Sequence, residues 1–316
     1  MPEASTSTTA CAPRLDYVMC ASPAGTHRMA YWEWGDPNND RVLLCVHGLT
    51  RTGRDFDLLA QRMAGDYRVV CPDIVGRGKS DWLINPATYA VPQYVADILT
   101  LIARLRPASL DWVGTSMGGL IGMGMAGTLA MSSSVRPARG DAGLPTDLRL
   151  PIGKFVLNDI GPALDFNGLA RISEYVGEPM SFDRFDQAVD YVHSVSQGFG
   201  EHDQAGWQAL TRHVFVQQGD KWVKHYDLRI AQAMAAQSKA MLMASEALLW
   251  QAYESINNPI LIVRGELSDL LSAETAEQMV RRNAGASLHT VAGVGHAPTL
   301  RDPIEIDPVA RFLLSA

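Results

Sequence analysis

Short apolar runs alternate with longer segments of helical periodicity along most of the chain. The runs are rich in β-branched residues and bounded by turn residues, which is typical of buried strands. The predicted strands are Tyr17–Ser22, Arg28–Trp34, Arg41–Val46, Tyr67–Cys71, Leu110–Val113, Lys154–Leu157, Ile260–Val263 and Ser287–Val291. The predicted helices are Phe56–Ala64, Val91–Leu105, Met117–Met131, Ala273–Arg282 and Ile304–Leu314. This alternation predicts a mostly parallel, eight-stranded α/β sheet with helices on both faces. Because only the turn PAGT separates the first two strands, that edge is expected to be antiparallel.

The alternation stops after the sixth predicted strand. Residues 163–248 show helical patterns only, with many aromatic residues, and are therefore predicted to form a helical cap inserted over the edge of the sheet. The core is then expected to comprise residues 16–162 and 249–316. Residues 1–15, rich in Ser, Thr, Ala and Pro, are expected to form a flexible tail, and residues 132–150 a mobile surface loop.

Composition and charge narrow the range of functions. The chain has 316 residues, of which 47% are hydrophobic and 19% charged, as in soluble globular proteins. Its 27 Lys and Arg against 34 Asp and Glu give a net charge of −7, which argues against a nucleic-acid partner and gives no support for docking on an anionic membrane. The uncharged stretch 112–135 is long enough to span a bilayer, but its six glycines favour a buried strand, turn and helix.

The cysteines indicate a reducing compartment. None of the four cysteines forms a CxxC pair, so neither a zinc site nor a redox motif is expected. Cys45 and Cys71 lie inside apolar runs, where a thiol behaves as a small hydrophobic group. The N-terminal residues lack the features of a signal peptide, and a cytoplasmic location is therefore expected.

The sharpest chemical signal is the hexapeptide GTSMGG at residues 114–119, between a predicted strand and a predicted helix. It matches G-x-S-x-G, the nucleophile elbow, whose glycines permit a turn too tight for larger side chains. Such a turn exposes the serine hydroxyl at the carboxyl edge of the sheet. The N-terminus of the following helix also favours developing negative charge. Ser116 is therefore the predicted nucleophile.

A serine nucleophile needs a base, and the base needs a carboxylate that orients it. Of the eight histidines, His296 follows the last predicted strand in a glycine-containing loop, at the edge where Ser116 is expected. Asp269, 27 residues before His296, is the predicted acid. Glu266 and Asp159 are its rivals, because all three carboxylates lie at the same edge of the sheet.

Acyl transfer also needs donors for the developing oxyanion. One is expected to be the backbone N–H of Met117, directly after the nucleophile. The other is expected to be the N–H of Leu49, in the loop after the third predicted strand. His47 in the same loop is expected to fix the loop by hydrogen bonding and not to act as a second base.

Five motifs occur in the order seen in the α/β-hydrolase superfamily: HGLT (47–50), PDIVGRGKSD (72–81), GTSMGG (114–119), RGELSD (264–269) and GVGHAP (293–298). From about residue 16 to residue 316, the chain resembles a capped, soluble bacterial member, similar to carboxylesterases and lactonases. The resemblance implies the α/β-hydrolase fold, with a triad of Ser116, His296 and Asp269 and an oxyanion hole formed by Leu49 and Met117. Three residues of the second motif are expected to be structural: Asp73, Gly76 and Gly78.

The predicted function is hydrolysis of a small-molecule carboxylic ester through an acyl-enzyme. Cleavage of a carbon–carbon or amide bond by the same triad remains an alternative, as does a non-catalytic ligand receptor of this fold. A haloalkane dehalogenase is disfavoured, because it needs a carboxylate where this chain has Ser116. No cofactor or metal is expected. In the cap, Trp222 and Tyr226 are candidate substrate-binding residues, as are Trp207 and Phe215, although aromatic residues at helical spacing are more often core.

Overall fold

A computed structural model describes residues 12–134, 152–235 and 239–315 of the chain. The strands are β1 (Arg14–Ser22), β2 (Gly25–Trp34), β3 (Arg41–Val46), β4 (Arg68–Pro72), β5 (Ser109–Thr115), β6 (Ile152–Asn158), β7 (Ser181–Phe182), β8 (Phe215–Gln218), β9 (Lys221–Lys224), β10 (Ile260–Gly265) and β11 (Ala286–Val291). The helices are α1 (Asp57–Met63), α2 (Val91–Leu105), α3 (Met117–Ser134), α4 (Phe166–Val176), α5 (Phe185–Val195), α6 (Gln204–Arg212), α7 (Ile230–Ala235), α8 (Lys239–Glu254), α9 (Ala273–Arg282) and α10 (Pro303–Leu314).

Eight strands form one sheet in the order β1-β2-β4-β3-β5-β6-β10-β11. Strands β1, β2 and β4 pair antiparallel, and every other pairing in this sheet is parallel. The predicted mostly parallel sheet and its antiparallel edge are therefore confirmed. The first hairpin is tighter than expected, because β2 begins at Gly25.

Helices cover both faces of the sheet. Side chains alternate between the two faces along each strand, and therefore pack into two separate hydrophobic cores. In β3, Leu43 and Cys45 join the core packed under α1 and α10, whereas Leu44 and Val46 join the core packed under α2 and α3. Because both faces are buried, such a strand reads as a continuous apolar run. Cys45 and also Cys71 are fully buried free thiols, as expected from their apolar surroundings.

The carboxyl ends of the parallel strands meet at one edge of the sheet, where α/β proteins place their sites. The loops that leave β3, β5, β6, β10 and β11 at this edge carry, respectively, His47, Ser116, Asp159, Asp269 and His296. The fold therefore gathers the candidate residues from positions up to 249 residues apart along the chain, since 296 − 47 = 249.

The residues between β6 and β10 include a unit that we call the cap segment, Phe166–Ala235. The expectation that it contains only helices is wrong, because β7, β9 and β8 form a three-stranded antiparallel sheet within it. A two-residue loop, Gly219–Asp220, joins β8 to β9, and Gly219 has a φ of 63°. Loops of this length favour residues that tolerate positive φ. A Gly-Asp pair between two short apolar stretches is thus the signal for a hairpin.

The cap segment has a hydrophobic cluster of its own, in which Trp207 and Leu210 are buried beside Phe215. The predicted cap boundary at residue 248 falls inside α8. This helix packs on α3 in the core, where the position of a Cβ on Gly127 would lie 2.9 Å from the Cβ of Ala252. The C-terminal part of α8 therefore contributes to the core.

The predicted tail and the predicted surface loop each differ from the structure at one end. Strand β1 begins at Arg14, inside the predicted tail 1–15, and residues 1–11 lie outside the described residues. Helix α3 continues to Ser134, so the first residues of the predicted loop 132–150 are helical. The rest of that loop lies outside the described residues.

The uncharged stretch that begins at Trp112 forms the end of β5, the turn at Ser116 and α3. Within the described part of the chain, no helix combines the length and the hydropathy needed to cross a membrane.

Candidate active site

Strand β5 ends in the tight turn that carries Ser116. Ser116 has a φ of 52°, a left-handed conformation that non-glycine residues rarely adopt. A Cβ on Gly114 would lie 2.5 Å from the carbonyl carbon of Gly118, and a Cβ on Gly118 would lie 1.9 Å from the carbonyl oxygen of Val46. Only glycine fits these two positions. Helix α3 begins directly after Ser116, so the positive end of its dipole lies at the turn.

Ser116, His296 and Asp159 form a continuous hydrogen-bonded path. The Oγ of Ser116 lies 2.9 Å from Nε2 of His296, and Nδ1 of the same ring lies 2.8 Å from Oδ2 of Asp159. Because a carboxylate only accepts hydrogen bonds, Nδ1 carries the ring proton and Nε2 can accept the hydroxyl proton. The side chain of Asp159 is 0% exposed and that of His296 is 9% exposed, so water screens this pair little.

The structure corrects the expectation that Asp269 orients His296. The carboxylate of Asp269 instead accepts two hydrogen bonds from the guanidinium of Arg171 on α4, at 2.5 and 2.9 Å. These bonds are the main reason that the pKa of Asp269 is lowered. The other rival, Glu266, accepts a hydrogen bond from a backbone N–H in the loop after β11. Asp159 is the acid of the three that contacts His296.

Asp159 is held in place by residues of β10 and the loop after it. Its Oδ1 accepts a hydrogen bond from the N–H of Gly265 at 2.9 Å, and its Oδ2 accepts one from the hydroxyl of Ser268 at 2.6 Å. The backbone at Asp159 has a φ of 55°, and its N–H donates to the carbonyl of Val263 at 2.7 Å. Strand β6 thus positions Asp159, and β10 with the loop after it supplies the donors that orient its carboxylate.

Asn158 joins the turn of Ser116 to the loop of His296. Its carbonyl accepts a hydrogen bond from the N–H of Ser116 at 2.9 Å. Its Nδ2 donates to Oγ1 of Thr115 at 3.0 Å and to the carbonyl of Pro298 at 2.8 Å. Nothing in the sequence distinguishes this asparagine from a polar residue at the end of any other strand, and the sequence-based prediction missed it.

Leu49 lies in a loop that touches Ser116, because a Cβ on Gly48 would lie 3.7 Å from the Cβ of that serine. His47 fixes this loop, as expected. Its Nδ1 donates to the carbonyl of Gly48 at 2.7 Å, and its Nε2 accepts from the N–H of Ile74 at 2.9 Å. Burial lowers the pKa of His47 to about 4, so the ring stays neutral and makes both bonds at neutral pH.

The buried Arg77 contacts both of the expected oxyanion residues. Its Nε donates to the carbonyl of Leu49 at 2.8 Å, and one terminal nitrogen lies 3.5 Å from the sulfur of Met117. In the same turn, Asp73 accepts two backbone hydrogen bonds, at 2.8 and 2.9 Å. Gly76 and Gly78 have positive φ angles of 87° and 54°. These contacts support the structural roles expected of this motif.

A pocket lies between the core and the cap segment, with Ser116 and His296 in its lining. The cap contributes a mainly apolar and aromatic surface formed by Ile172, Tyr175, Tyr191, Val192, Phe215 and Tyr226. Tyr226, a predicted substrate-binding residue, therefore reaches the pocket. Trp222 does not line it: its ring packs on Phe185 inside the cap segment, with centroids 4.8 Å apart. The expectation for Trp222 is corrected, because that side chain belongs to the packing of the cap.

Three cationic side chains line the same pocket. Arg51 pairs with Asp55 through two hydrogen bonds, at 2.7 and 2.8 Å. Arg171 pairs with Asp269, as described above. Lys224, which is 9% exposed, instead donates to two backbone carbonyl oxygens. Carboxylates compensate the charges of the two arginines, whereas backbone carbonyl dipoles stabilise the ammonium group of Lys224.

One cluster of side chains has the composition of a metal site. The ligand atoms of Cys20, His27 and Asp97 lie within 4.8 Å of one another and are buried. However, Nε2 of His27 and Oδ2 of Asp97 are hydrogen-bonded at 2.9 Å, and Gln93 donates to the other carboxylate oxygen at 2.8 Å. These bonds tie the first hairpin to α2, which is a structural role.

Comparison with known proteins agrees with the fold. The model of the alpha/beta hydrolase family matches residues 43–307. The chain therefore belongs to the alpha/beta hydrolase family.

Three of the matching proteins align over nearly their whole length. The 3-hydroxybutyrate-oligomer hydrolase of Cupriavidus necator is 47% identical over 308 residues, which cover 96% of this chain and 99% of that protein. An alpha/beta hydrolase from Novosphingobium aromaticivorans has a TM-score of 0.78 at 33% identity, covering 96% and 99% of the two chains. A solved structure from Rickettsia typhi has a TM-score of 0.80 at 27% identity, covering 95% and 98%. Family and relatives together identify the chain as a hydrolase that acts on ester bonds.

Proposed function

We propose that the chain is a serine hydrolase that cleaves the ester bonds of short 3-hydroxybutyrate oligomers through an acyl-enzyme. The observation that carries the proposal is the hydrogen-bonded path from Ser116 through His296 to Asp159 at a pocket under the cap segment. The substrate class rests on the 47% identity to a 3-hydroxybutyrate-oligomer hydrolase over nearly the full length of both chains. Units of a hydroxy acid are joined by carboxylic esters, which a triad of this kind hydrolyses.

In the first half of the reaction, the Oγ of Ser116 attacks the ester carbonyl carbon. His296 takes the hydroxyl proton on Nε2, and the buried carboxylate of Asp159 stabilises the imidazolium that forms. The negative charge on the carbonyl oxygen is stabilised by the backbone N–H groups of Leu49 and Met117. The tetrahedral intermediate then expels the alcohol oxygen, which takes the proton from Nε2.

In the second half, water attacks the carbonyl carbon of the acyl-enzyme. His296 again accepts a proton on Nε2, this time from the water, and returns it to the Oγ of Ser116 as the acid product leaves. His47 and Arg77 hold the loop of Leu49 in both halves, so the oxyanion donors need no reorganisation during the reaction. The apolar cap surface suits the methyl-bearing units of such an oligomer.

The test combines active-site labelling with substrate turnover. An organophosphonate should add once to the wild-type chain and not to Ser116→Ala, as measured by intact-mass spectrometry. The same variant should lose about 10³-fold or more in kcat on a 3-hydroxybutyrate trimer, with products followed by liquid chromatography. Ser173→Ala, at an exposed serine on α4, is the matched control and should be labelled normally. Labelling of Ser116→Ala at the wild-type rate would refute the nucleophile. A trimer left intact while a p-nitrophenyl ester is hydrolysed would refute the substrate class.

A further inference from the structure

Lys224 is a buried cation in the pocket that also contains Ser116. Its Nζ donates to the carbonyl oxygens of Tyr175 and Glu178, at 2.6 and 2.8 Å, near the C-terminal end of α4. An ammonium group has three hydrogens, so these two bonds leave one donor. No carboxylate of the described residues forms an ion pair with Lys224. The pocket therefore has a positive charge with donor capacity to spare.

A second polar group in this lining is unsatisfied. The hydroxyl of Tyr191 is buried and has no hydrogen-bond partner among the described residues. Its ring centroid lies 5.4 Å from Nζ of Lys224, and both side chains line the pocket. A buried hydroxyl without a partner is costly, and native proteins rarely keep one without a reason. A bound acceptor would satisfy the remaining donor of Lys224, and it would satisfy Tyr191 once the ring turns its enclosed hydroxyl towards the pocket.

We propose that Lys224 and Tyr191 bind the free carboxylate at the end of the oligomer, an inference that rests on the proposed function. A 3-hydroxybutyrate oligomer has a hydroxyl at one end and a carboxylate at the other. The carboxylate accepts one hydrogen bond from the ammonium group and one from the phenol, and charge-assisted bonds of this kind are the strong ones. The other two cations in the lining, Arg51 and Arg171, already pair with carboxylates.

The chemistry of the oligomer fixes which fragment occupies this site. The carboxylate end lies on the alcohol side of every ester in the chain, so Lys224 holds the fragment that leaves first. The Oγ of Ser116 forms a bond to the carbonyl carbon, and the bond from that carbon to the alcohol oxygen breaks. The freed oxygen takes the proton from Nε2 of His296. The departing hydroxy acid keeps its carboxylate throughout.

The protonation state of Lys224 suits this role. Burial lowers the pKa of Lys224 to about 8, against the opposing effect of the nearby Glu178 carboxylate. The side chain is therefore mainly an ammonium group at neutral pH. A bound carboxylate favours this charged form further.

The experiment compares a 3-hydroxybutyrate trimer having a free carboxylate with the methyl ester of the same trimer. In Lys224→Met, kcat/KM for the free acid should fall about ten- to hundred-fold. In Tyr191→Phe it should fall about three- to ten-fold. The methyl ester should lose less than the free acid in both variants, so the ratio of kcat/KM between free acid and methyl ester should fall, and Lys224→Arg should restore part of that ratio. Lys221→Met is the matched control, because Lys221 is exposed on the same strand and should affect neither substrate.

An equal fall for both trimers in Lys224→Met and Tyr191→Phe would overturn the inference and leave a purely structural role. A second arm uses p-nitrophenyl butyrate as a neutral reporter and 3-hydroxybutyrate as a competitive inhibitor. Inhibition should weaken about ten-fold or more in Lys224→Met. Unchanged inhibition would also overturn the carboxylate site. This arm needs no turnover of the oligomer, so failure of the proposed substrate class is distinguished from failure of the carboxylate site.

Discussion

Replacing Asp159 by asparagine removes the charge of the proposed acid and preserves its shape. The Oδ1 of the new side chain can still accept the hydrogen bond from Gly265, which directs Nδ2 and its hydrogens towards Nδ1 of His296. Two donors cannot face each other, so the imidazole is forced into the tautomer with hydrogen on Nε2. In that tautomer, His296 cannot accept the proton of Ser116.

The expected loss in kcat is large. In a chymotrypsin-type triad, replacement of the aspartate by asparagine lowers kcat about 10⁴-fold. The side chain of Asp159 is 0% exposed, so bulk water does not reach the site to compensate for the missing charge. We therefore expect Asp159→Asn to lose about 10³- to 10⁴-fold in kcat on both the trimer and a p-nitrophenyl ester.

Asp269→Asn is the matched control, since it makes the same chemical change at the other candidate acid. It weakens an ion pair whose two side chains are each 39% exposed, which costs about 1 kcal/mol or less. Its kcat on the p-nitrophenyl ester, which carries no carboxylate, should therefore change little. Steady-state kinetics measures both variants, and circular dichroism with thermal melting confirms that both are folded. Near-normal turnover by Asp159→Asn, beside a collapse in Asp269→Asn, would refute the assignment.

Two other predictions concern the loop of Leu49 and the cap. The lowered pKa of His47 lies below its ordinary value of about 6.5, so the stability due to the neutral ring is complete above that pH and is lost as the pH falls towards 4. In urea unfolding, His47→Gln should lower the free energy of unfolding more at pH 7.5 than at pH 5, by at most about 3 kcal/mol. An equal loss at both pH values would contradict this. Tyr226→Ala should change the ratio of kcat/KM between short and long p-nitrophenyl esters, because it removes a ring that lines the pocket, whereas Trp222→Ala should lower thermal stability with little change in that ratio. The reverse outcome would place Trp222 at the substrate.

Sequence predicted the fold well where local rules are strong. The observed bounds of α2, α9 and β3 agree with the prediction, because each segment combines an unbroken pattern with clear flanking residues. The turn of Ser116 could also be predicted, because close packing at Gly114 and Gly118 leaves a glycine signature in the sequence.

The choice between the two acids could not be made in this way. Asp159 and Asp269 both follow strands that end at the same edge, and their distances from His296 along the chain carry no information on contact. The decisive features are the left-handed φ of Asp159 and the donors supplied by Gly265 and Ser268. Each depends on the packing of β6 against β10. Although Asp159 lies directly after the end of its own strand, its left-handed backbone brings the carboxylate to the histidine.

The position of the acid also bears on the charge of the pocket. In the sheet, β6 lies between β5 and β10, so an acid after β6 is next to the strand of the nucleophile. The carboxylate of Asp269 is then available to the cap segment, where it compensates Arg171 in the pocket lining. If Asp269 oriented His296 instead, Arg171 would lose this partner and compete with Lys224 for an anionic substrate. An acid supplied by β6 is therefore consistent with a pocket in which Lys224 is the cation that receives the carboxylate of the oligomer.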